Sequence, residues 1–487
     1  MTERVRTRYA PSPTGYPHVG NIRSALFAWL FARHNEGSFI LRVEDTDVER
    51  TVEGSLEYQL DALRWLGMDW DEGPGAGGSY GPYVQSERLQ LYQEAARRLV
   101  ESGHAYYCYC SEERLAALRE EQMKRKMPPG YDRFCRNLTA EQRKAREAEG
   151  ITPVVRFKAP LTGRTLFHDE IWGDVVFDNS HIEDLVLLKS DGYPTYHLAN
   201  VFDDHAMEIS HVLRAEEYIS SAPLHMMTYA ALGYTPPKFA HLPMVLGPDR
   251  SKLGKRHGAT SVLEFREQGY LPEALVNFLA LLGWSLDDKT DIISREELVS
   301  HFSLDRVSKT AAIFNHEKLK WMNGVYIRNL TADEFARRCL PFLEKSLPGD
   351  VPRPLSLEYV KQVTALAQER AKLLTEVPEL TRYFFSDTLS YDAALLIGKG
   401  TTAESTRQAL SVAKERLEKL PAFDAPALEA MLRPLAEELG VKTGQLFGAL
   451  RTAVSGETAT PPLFQMMAVL GRERCLRRIQ DAISLLK

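Results

Sequence analysis

Residues able to bind phosphate occur near the amino terminus, in the segment 8–21. There a Pro/Gly-rich stretch leads into His18-Val19-Gly20-Asn21, where strand-like spacing gives way to helical spacing. A helix amino terminus offers free N–H groups and a partial positive charge, which stabilise a polyphosphate. Gly20 lacks a side chain, so a flat base can pack against its backbone, and His18 can donate hydrogen bonds to phosphate oxygens in a transition state. On its own, such a histidine could also be a helix cap or a surface group.

A second cationic segment lies far downstream, at residues 249–258, and carries four cations within seven residues. Such a run can be a solvated turn. It can also be a clamp that brings the ammonium groups of Lys252 and Lys255 to the β- and γ-phosphates of a nucleotide. The amino-terminal segment is neither a Walker loop nor a Gly-x-Gly-x-x-Gly dinucleotide turn. The pair therefore indicates a phosphate site of another type.

The elements that would position these residues follow from hydrophobic spacing. Residues 4–10 alternate, and apolar residues recur with a helical period over 22–30. Residues 39–43 have the short apolar run of a buried strand, and helical spacing returns over 52–66. Strand, turn, helix, strand and helix in this order predict a parallel α/β sheet.

The middle and the end of the chain differ from its beginning. Between about residues 105 and 200, a Cys-x-Cys sequence, a charged helix near 112–125 and short strand-like runs at 154–157, 175–177 and 185–188 indicate an insertion into the first domain. From about residue 329 strand signals fade, which predicts an all-helical last third. The predicted parts are 1–108 as the first half of the first domain, 109–195 as the insertion, 196–328 as the second half with a connecting helical subdomain that carries the lysine segment, and 329–487 as the helical region.

The composition fits a globular protein with large cores, because 44% of the 487 residues are hydrophobic and 26% are charged. The amino terminus lacks the apolar stretch of a secretory signal, and the longest mainly apolar run, 274–284, is too short to span a bilayer. Five cysteines cannot form a disulfide framework in so long a chain, so we expect a cytoplasmic protein without membrane contact. The formal net charge of −6 leaves RNA binding open, since only the contacted surface must be basic.

The two phosphate segments together resemble the signature motifs of class I aminoacyl-tRNA synthetases, usually written HIGH and KMSKS. Here the motifs are His18 to Asn21 and Lys252 to Arg256. The chain is identified as a member of the bacterial-type glutamyl-tRNA synthetases through further matching segments along nearly its whole length. These segments are 11–21, 42–47, 191–200, 214–217 and 269–275. Asn21 departs from the class motif, which has a second histidine there, and Gly254 stands where the family has serine.

The resemblance implies an α/β fold: a Rossmann-like parallel-sheet catalytic domain, an inserted α+β domain that binds the acceptor end of tRNA, and an all-α carboxy-terminal region that binds the anticodon. It implies a ligase that activates L-glutamate with ATP and Mg²⁺, then transfers glutamate to the 3′-terminal adenosine of tRNA(Glu). This chemistry needs no protein nucleophile, because the substrate carboxylate itself attacks the α-phosphorus. A monomer is expected, as in most of the family. Whether tRNA(Gln) is also charged stays open.

Residue by residue, the resemblance assigns catalytic roles to His18, Gly20, Lys252 and Lys255. It assigns ATP binding to His18, Gly20, Asn21, Lys252, Lys255 and Arg256, and glutamate binding to Arg8, Ala10, Ser12, Glu44, Tyr196, Asn200 and Arg214. Glu44, helped by Ser12, can hold the substrate ammonium, while Arg8 and Arg214 can each make paired hydrogen bonds to a carboxylate. Arginines in the pocket also explain rejection of glutamine, whose amide would leave a cation unpaired.

Cys108, Cys110 and Cys135 form a cysteine cluster in the predicted insertion. Some glutamyl-tRNA synthetases bind zinc at this place through Cys-x-Cys and a later Cys-x-His. Here Asn137 stands at the position of that histidine, and Tyr131 is the plausible substitute nearby. Structural zinc requires four good ligands. Two hypotheses therefore stay open: a zinc site formed by the three cysteines and Tyr131, or a metal-free cluster of reduced thiols.

Other interpretations are possible. A related enzyme loads glutamate onto a modified tRNA base, but it typically lacks the carboxy-terminal helical domain, and small nucleotidyltransferases with a similar histidine turn are much shorter. A catalytically inactive RNA-binding relative would not need to retain His18, Lys252 and Lys255. The basic stretch 472–478 could contact RNA phosphates or be a solvated helix face.

Overall fold

The computed structural model describes residues 4–254, 257–258 and 261–486. In chain order, its strands are β1 (Arg6–Tyr9), β2 (Ser38–Leu41), β3 (Ala105–Cys108), β4 (Val154–Phe157), β5 (Arg164–Asp169), β6 (Gly173–Asp178), β7 (Val186–Leu188), β8 (His211–Ala215), β9 (Lys238–Leu242), β10 (Val245–Leu246) and β11 (Ala312–Ile313). Its helices are α1 (Val19–His34), α2 (Ser55–Trp65), α3 (Leu89–Glu101), α4 (Glu112–Lys124), α5 (Ala140–Ala148), α6 (Tyr196–Ala206), α7 (Ala222–Leu232), α8 (Val262–Glu267), α9 (Pro272–Ala280), α10 (Arg295–His301), α11 (His316–Asn329), α12 (Ala332–Ser346), α13 (Leu357–Ala365), α14 (Val377–Phe385), α15 (Ala403–Glu418), α16 (Ala425–Glu438), α17 (Thr443–Ser455), α18 (Leu463–Leu470) and α19 (Arg472–Leu485).

Parallel strands form the framework of the amino-terminal part. β1 pairs in parallel with β2, and β8 pairs in parallel with β9. The N–H of Ser210 donates to the carbonyl of Arg6 at 3.0 Å, so β8 begins beside β1. All four residues of β1 are buried, as expected where helices cover a parallel sheet on both faces. The predicted parallel α/β fold is confirmed.

Helix α1 begins where the sequence predicted a helix start. The residue before it, His18, has extended backbone angles, and its side chain accepts a hydrogen bond from the N–H of Gly20. Ile22, Leu26 and Leu30 recur at helical spacing and are buried, so one face of α1 packs against the sheet. The elements β1, α1 and β2 thus fix a loop and a helix amino terminus at the carboxyl end of β1.

The predicted insertion contains two sheets with different partners. Strands β3, β4 and β7 form an antiparallel sheet of their own. Strands β5 and β6 form a hairpin, and β5 also joins β9 in parallel at Asp169 and Phe239. The hairpin thereby extends the sheet that contains β8, in the order β6-β5-β9-β8. The sequence predicted a strand at 175–177 but not its partner β5.

The described residues belong to two compact units, one with Met1–Arg266 and Pro272–His316, the other with Glu267–Leu271 and Glu317–Lys487. The second unit is helical throughout its described part, as predicted. Its core takes one buried residue or more from each of α15 to α19, for example Leu410, Leu432, Leu450, Met467 and Ile479. None of the helices in the described ranges combines the length and the apolar character that a membrane span requires. The four-part division stays a prediction.

The basic stretch 472–478 contacts backbone carbonyls within the helical unit. Arg478 is 2% exposed and donates to the carbonyls of Tyr383, Ser386 and Val454 at 2.5–2.7 Å. These carbonyls lie at the carboxyl ends of α14 and α17, where helix carbonyls lack intrahelical partners. Burial lowers the pKa of Arg478 to about 10, which leaves it charged at neutral pH. Arg478 therefore stabilises the unit instead of facing RNA.

We expect Arg478→Met to lower the free energy of unfolding of the helical unit by about 2–4 kcal/mol, because several buried carbonyls would lose their donor. Arg477→Met is the matched control: its side chain is 54% exposed, donates to the carbonyl of Asp387 and lies 4.0 Å from the carboxylate of the same residue, so we expect a loss of about 0.5 kcal/mol or less. Urea unfolding of the intact chain measures both values. Equal midpoints for the two variants would contradict the proposed capping role.

Candidate active site

A cavity of about 150 Å³ lies at the carboxyl ends of β1 and β8, the edge at which α/β proteins bind ligands. It brings together most of the residues that the sequence assigned to one site: Arg8, Ala10, His18, Gly20, Asn21, Glu44, Tyr196, Asn200, Arg214 and Lys252. Ser12 does not line this cavity but an adjoining cleft of about 1250 Å³, which Ala10, Glu44 and Tyr196 share. Lys255 and Arg256 lie outside the described residues.

His18 combines a capping contact with a free donor. Its Nδ1 accepts from the N–H of Gly20 at 3.0 Å, so in the neutral ring the proton lies on Nε2. Partial removal from water and the nearby Lys252 ammonium lower the pKa of His18, which favours this neutral form. The imidazole can therefore donate through Nε2 while it caps α1.

Gly20 is required by the histidine cap itself. A Cβ at this position would lie 2.7 Å from Cε1 and 2.9 Å from Nδ1 of His18, closer than carbon atoms can approach. Any side chain would therefore displace the imidazole from the helix start. Glycine at this position is therefore needed for the His18 cap. The packing of a flat nucleotide base against Gly20, which the sequence suggested, is a second reason for glycine and stays a prediction.

The lysine segment lies beside the histidine turn. His18 and Ser261, which follows the segment, form an isolated antiparallel bridge. The Nζ of Lys252 lies 2.8 Å from a carboxylate oxygen of Glu217, and both side chains are exposed. At Gly254 an added Cβ would meet, among the described residues, only the carbonyl of Lys252, at 4.0 Å, so the backbone there would accept the serine of the family pattern. The two predicted phosphate segments thus face one cavity.

A buried ion-pair cluster forms one wall of the cavity. Arg8 donates from Nε and Nη2 to the two carboxylate oxygens of Asp204, at 3.1 and 3.3 Å. Arg42 donates to Asp204 at 2.7 Å and to Glu44 at 2.9 Å. Burial opposes ionisation of Asp204, but the two guanidinium groups outweigh it and lower its pKa. The side-chain amide of Asn200, oriented so that its oxygen faces the arginines, accepts from Arg8 at 3.1 Å and from Arg42 at 3.3 Å.

Arg8 therefore enters the site with its charge already balanced. Two of its three guanidinium nitrogens donate to Asp204, which leaves Nη1 as the nitrogen available to a ligand. This differs from the paired carboxylate contact that the sequence suggested for Arg8. Glu44 keeps one side towards the cavity, and burial raises its pKa against the influence of Arg42.

Arg214, which also lines the cavity, has neutral hydrogen-bond partners. Its Nε donates to Nε2 of His241 at 2.9 Å, and its Nη1 lies 3.0 Å from the hydroxyl of Tyr196 and 3.3 Å from Nδ1 of His225. Its Nη2 is buried and makes no hydrogen bond to any described residue. A buried cation without a counter-ion is costly. The cavity therefore favours an anionic ligand at Arg214.

Helix α6 explains how two of the assigned residues converge. Tyr196 is the first residue of α6 and Asn200 lies one turn later, so both side chains project from the same face. That face also carries the buried Asp203 and Asp204 further along the helix. The helix therefore brings Tyr196 and Asn200, which the sequence assigned to one pocket, to the same cavity.

Several residues at the site were not identified from the sequence. Asp204 had a recognisable signal, since two adjacent acidic residues interrupt an otherwise apolar helical pattern. No sequence signal identified His241 and its hydrogen-bond partner Asp169, because the contact between them depends on the register between β5 and β9.

The cysteine cluster is compact. The Sγ atoms of Cys108, Cys110 and Cys135 lie within 4.8 Å of one another, with 3.6 Å between Cys110 and Cys135. The hydroxyl of Tyr131 lies 3.3 Å from Cys108 Sγ and 3.7 Å from Cys110 Sγ. Tetrahedral zinc with bonds of about 2.3 Å to sulfur and 2.0 Å to oxygen would separate its ligand atoms by about 3.5–3.8 Å. The four donors therefore fit a zinc ion, whereas Asn137 is exposed.

Comparisons with known proteins cover nearly the whole chain. Residues 4–321 match the family model of the class I tRNA synthetases (E and Q), catalytic domain, and residues 334–483 match an anticodon binding domain. The chain is 61% identical over 484 residues to a glutamate–tRNA ligase of Dehalococcoides mccartyi (strain CBDB1), covering 99% of this chain and 98% of that protein. It is 50% identical over 482 residues to a glutamate–tRNA ligase of Moorella thermoacetica (strain ATCC 39073 / JCM 9320), covering 98% of each.

A solved structure has the same fold. The crystal structure of a glutamate tRNA ligase from Elizabethkingia meningosepticum CCUG26117 in complex with its amino acid superimposes with a TM-score of 0.90 at 36% sequence identity, and the match covers 100% of both chains. The fold, the two matched models and the full-length identity agree. The chain therefore belongs to the glutamate–tRNA ligase family of class I aminoacyl-tRNA synthetases.

Proposed function

We propose that the chain activates L-glutamate with ATP at this cavity and transfers the glutamyl group to the 3′-terminal adenosine of tRNA(Glu), releasing AMP and pyrophosphate. The observation that carries the proposal is the placement of a buried guanidinium that has no acidic contact among the described residues, that of Arg214, in the same cavity as the His18 turn and Lys252. An amino acid with an acidic side chain supplies the missing counter-ion, and its α-carboxylate then lies within the phosphate site.

The reaction requires alignment and charge stabilisation only. The α-carboxylate of glutamate attacks the α-phosphorus of ATP, and pyrophosphate leaves. The amino terminus of α1 and the Nε2 donor of His18 stabilise negative charge on phosphate oxygens as it develops. Lys252, together with Lys255 and Arg256 by family resemblance, neutralises the departing pyrophosphate. Mg²⁺ accompanies the ATP phosphates.

The two ends of glutamate are held by opposite charges. Glu44 accepts the substrate ammonium, while Arg214 binds the side-chain carboxylate and Arg8 contributes its remaining nitrogen. Glutamine would offer Arg214 a neutral amide, so the buried charge would stay uncompensated. The cavity therefore selects glutamate by charge. Ser12, in the adjoining cleft, acts at the ammonium end.

We further infer that residues 109–195 bind the acceptor end, that 329–487 bind the anticodon, that 1–108 and 196–328 form the catalytic domain, and that the enzyme is a monomer. The match of residues 334–483 to an anticodon binding domain supports the second role. It also favours tRNA charging over the base-modifying relative, which typically lacks such a domain.

Lys252→Ala is expected to lower glutamate-dependent ATP–pyrophosphate exchange, measured with tRNA present, by about 100-fold or more, because an ammonium would be missing from the developing charge. Lys289→Ala is the matched control, since Lys289 is also an exposed loop lysine. Equal rates in both variants would remove Lys252 from the site. Charging of purified tRNA(Glu) and tRNA(Gln) with labelled glutamate by the parent tests the function itself, and no charging of tRNA(Glu) would refute it.

Arg214→Gln should raise the KM for glutamate by about 100-fold while the KM for ATP changes by less than about two-fold, because only the side-chain carboxylate loses its partner. Arg164→Gln, an exposed arginine on β5, is the control for substitution chemistry. Steady-state exchange kinetics give both constants. An unchanged KM for glutamate in Arg214→Gln would exclude Arg214 as the carboxylate ligand.

We also propose that Cys108, Cys110, Cys135 and Tyr131 hold one structural zinc ion. Elemental analysis of protein purified without added metal should then find about one equivalent of zinc per chain, and Cys135→Ser should reduce it below about 0.1 equivalent. Cys339→Ser, at a buried cysteine of the helical unit, should keep the metal. Less than about 0.1 equivalent in the parent would support the alternative of reduced thiols.

A further inference from the structure

Behind Arg214 lies a hydrogen-bonded pair to which neither the sequence motifs nor the proposed reaction assigns a role. Nδ1 of His241 lies 2.6 Å from Oδ2 of Asp169, and Nε2 of the same ring accepts from Nε of Arg214 at 2.9 Å. Asp169 and His241 are both fully buried. Asp169 comes from the end of β5, His241 from β9 and Arg214 from β8, so three neighbouring strands supply the chain of contacts.

The contacts fix the proton of His241. The Nε of an arginine can only donate, so Nε2 of His241 must carry a lone pair, and the ring proton lies on Nδ1, facing the carboxylate. Burial lowers the pKa of His241 despite the opposing effect of Asp169, and the neutral ring agrees with this. The imidazole thus presents a lone pair to Arg214 on Nε2 and donates to Asp169 through Nδ1. It therefore separates the negative charge of Asp169 from the guanidinium by the width of one ring.

Other groups around Arg214 cannot replace this pair. Nδ1 of His225 lies 3.3 Å from Nη1 of Arg214, and Nε2 of the same ring lies 3.2 Å from Nδ1 of His197. Burial lowers the pKa of both histidines. Tyr196 presents its hydroxyl from α6. These partners are neutral. The carboxylate of Asp169, relayed by His241, is the acidic group built into this network among the described residues.

The contrast with Arg8 indicates what the arrangement achieves. Arg8 contacts the carboxylate of Asp204 directly with two nitrogens, which neutralises it and occupies its hydrogen-bonding edge. Arg214 is held by Nε alone on that side, so its orientation is fixed while Nη2 stays without a partner. A carboxylate in direct contact would have competed with a carboxylate ligand.

We propose that Asp169 and His241 are positioning residues that orient Arg214 and thereby set the discrimination of glutamate from glutamine. The proposal rests on the function proposed above, in which Arg214 receives the side-chain carboxylate. The roles of the two residues can be tested separately. His241 accepts from Nε of Arg214, and Asp169 keeps the ring proton of His241 on Nδ1, so that Nε2 can accept.

Asp169→Asn tests the tautomer. Oδ1 of Asp169 accepts from the N–H groups of Ile171 and Trp172, each at 3.0 Å, and Oδ2 also accepts from the backbone N–H of His241 at 3.2 Å. An asparagine that keeps its oxygen on the N–H groups of Ile171 and Trp172 presents its NH₂ to the His241 ring and gives up the contact with the His241 backbone. The imidazole would then accept on Nδ1 and carry its proton on Nε2, where it would face the Nε donor of Arg214. The Nε of Arg214 would lose its acceptor although the volume is unchanged.

The expected result for Asp169→Asn is a KM for glutamate raised by about 10–100-fold, a KM for ATP within about two-fold of the parent, and a smaller preference for glutamate over glutamine in pyrophosphate exchange. Asp174→Asn is the matched control, because Asp174 lies 2.7 Å from His168 in an exposed pair on the same hairpin, and should keep all three values.

His241→Gln and His241→Leu separate the acceptor from the fold. Glutamine can place an oxygen near the position of Nε2 and should keep the KM for glutamate within about five-fold of the parent, whereas leucine offers no acceptor and should resemble Asp169→Asn. In a His241→Gln background there is no ring tautomer to change, so adding Asp169→Asn should have little further effect on the KM for glutamate.

The outcomes are distinct. If the parent shows no exchange that depends on glutamate, the proposed function fails and this inference fails with it. If the parent is active and Asp169→Asn has the parental KM for glutamate, or raises both KM values equally, the positioning role is overturned alone. If Asp169→Asn does not fold, the two His241 variants decide: equal KM values for glutamate in them would overturn the proposal.

Discussion

Buried positive charge at the carboxyl ends of the parallel strands is the constraint from which the rest of the site follows. Arg8 and Arg42 are buried there, and a buried charge is costly unless it is paired or hydrogen-bonded. Two adjacent carboxylates of α6 provide such partners. Asp204 contacts both arginines, and Asp203 pairs with Arg88. Arg214 is left with neutral contacts. The proposed selectivity for an anion thus follows from the absence of an acidic contact to Arg214 among the described residues.

The amino terminus of α1 solves a second problem with few residues. A helix start must satisfy its free N–H groups, and Nδ1 of His18 accepts from one of them, that of Gly20. This contact also fixes which nitrogen carries the proton. Because Gly20 leaves space for the ring, capping, tautomer and donor direction are determined together. The proposed phosphate site is therefore organised by the helix start itself.

Much of this could be predicted from the sequence because it depends on local spacing. The strand and helix periods around α1, the helical last third and the convergence of the phosphate segments all follow from short-range patterns or from the family motifs. β5 was missed because its apolar residues are only two, the adjacent Leu166 and Phe167, so the strand shows no apolar alternation. The relay to Arg214 was missed because Asp169 and His241 are 72 residues apart and meet only through strand register. Arg478 was ambiguous because a buried guanidinium and a surface one look alike in a sequence.

The hairpin of β5 and β6 limits which segments of the chain can be exchanged or removed without damage to the sheet. It emerges from the part of the sequence expected to be inserted, yet β5 lies inside the sheet next to β9 and ends on Asp169. Swapping or trimming that region as an independent module would therefore expose one side of β9 and leave His241 without its carboxylate. A segment from another protein could therefore replace part of this region only if β5 is kept. The buried carboxyl group of Asp169 thus restricts which parts of the sequence can be exchanged.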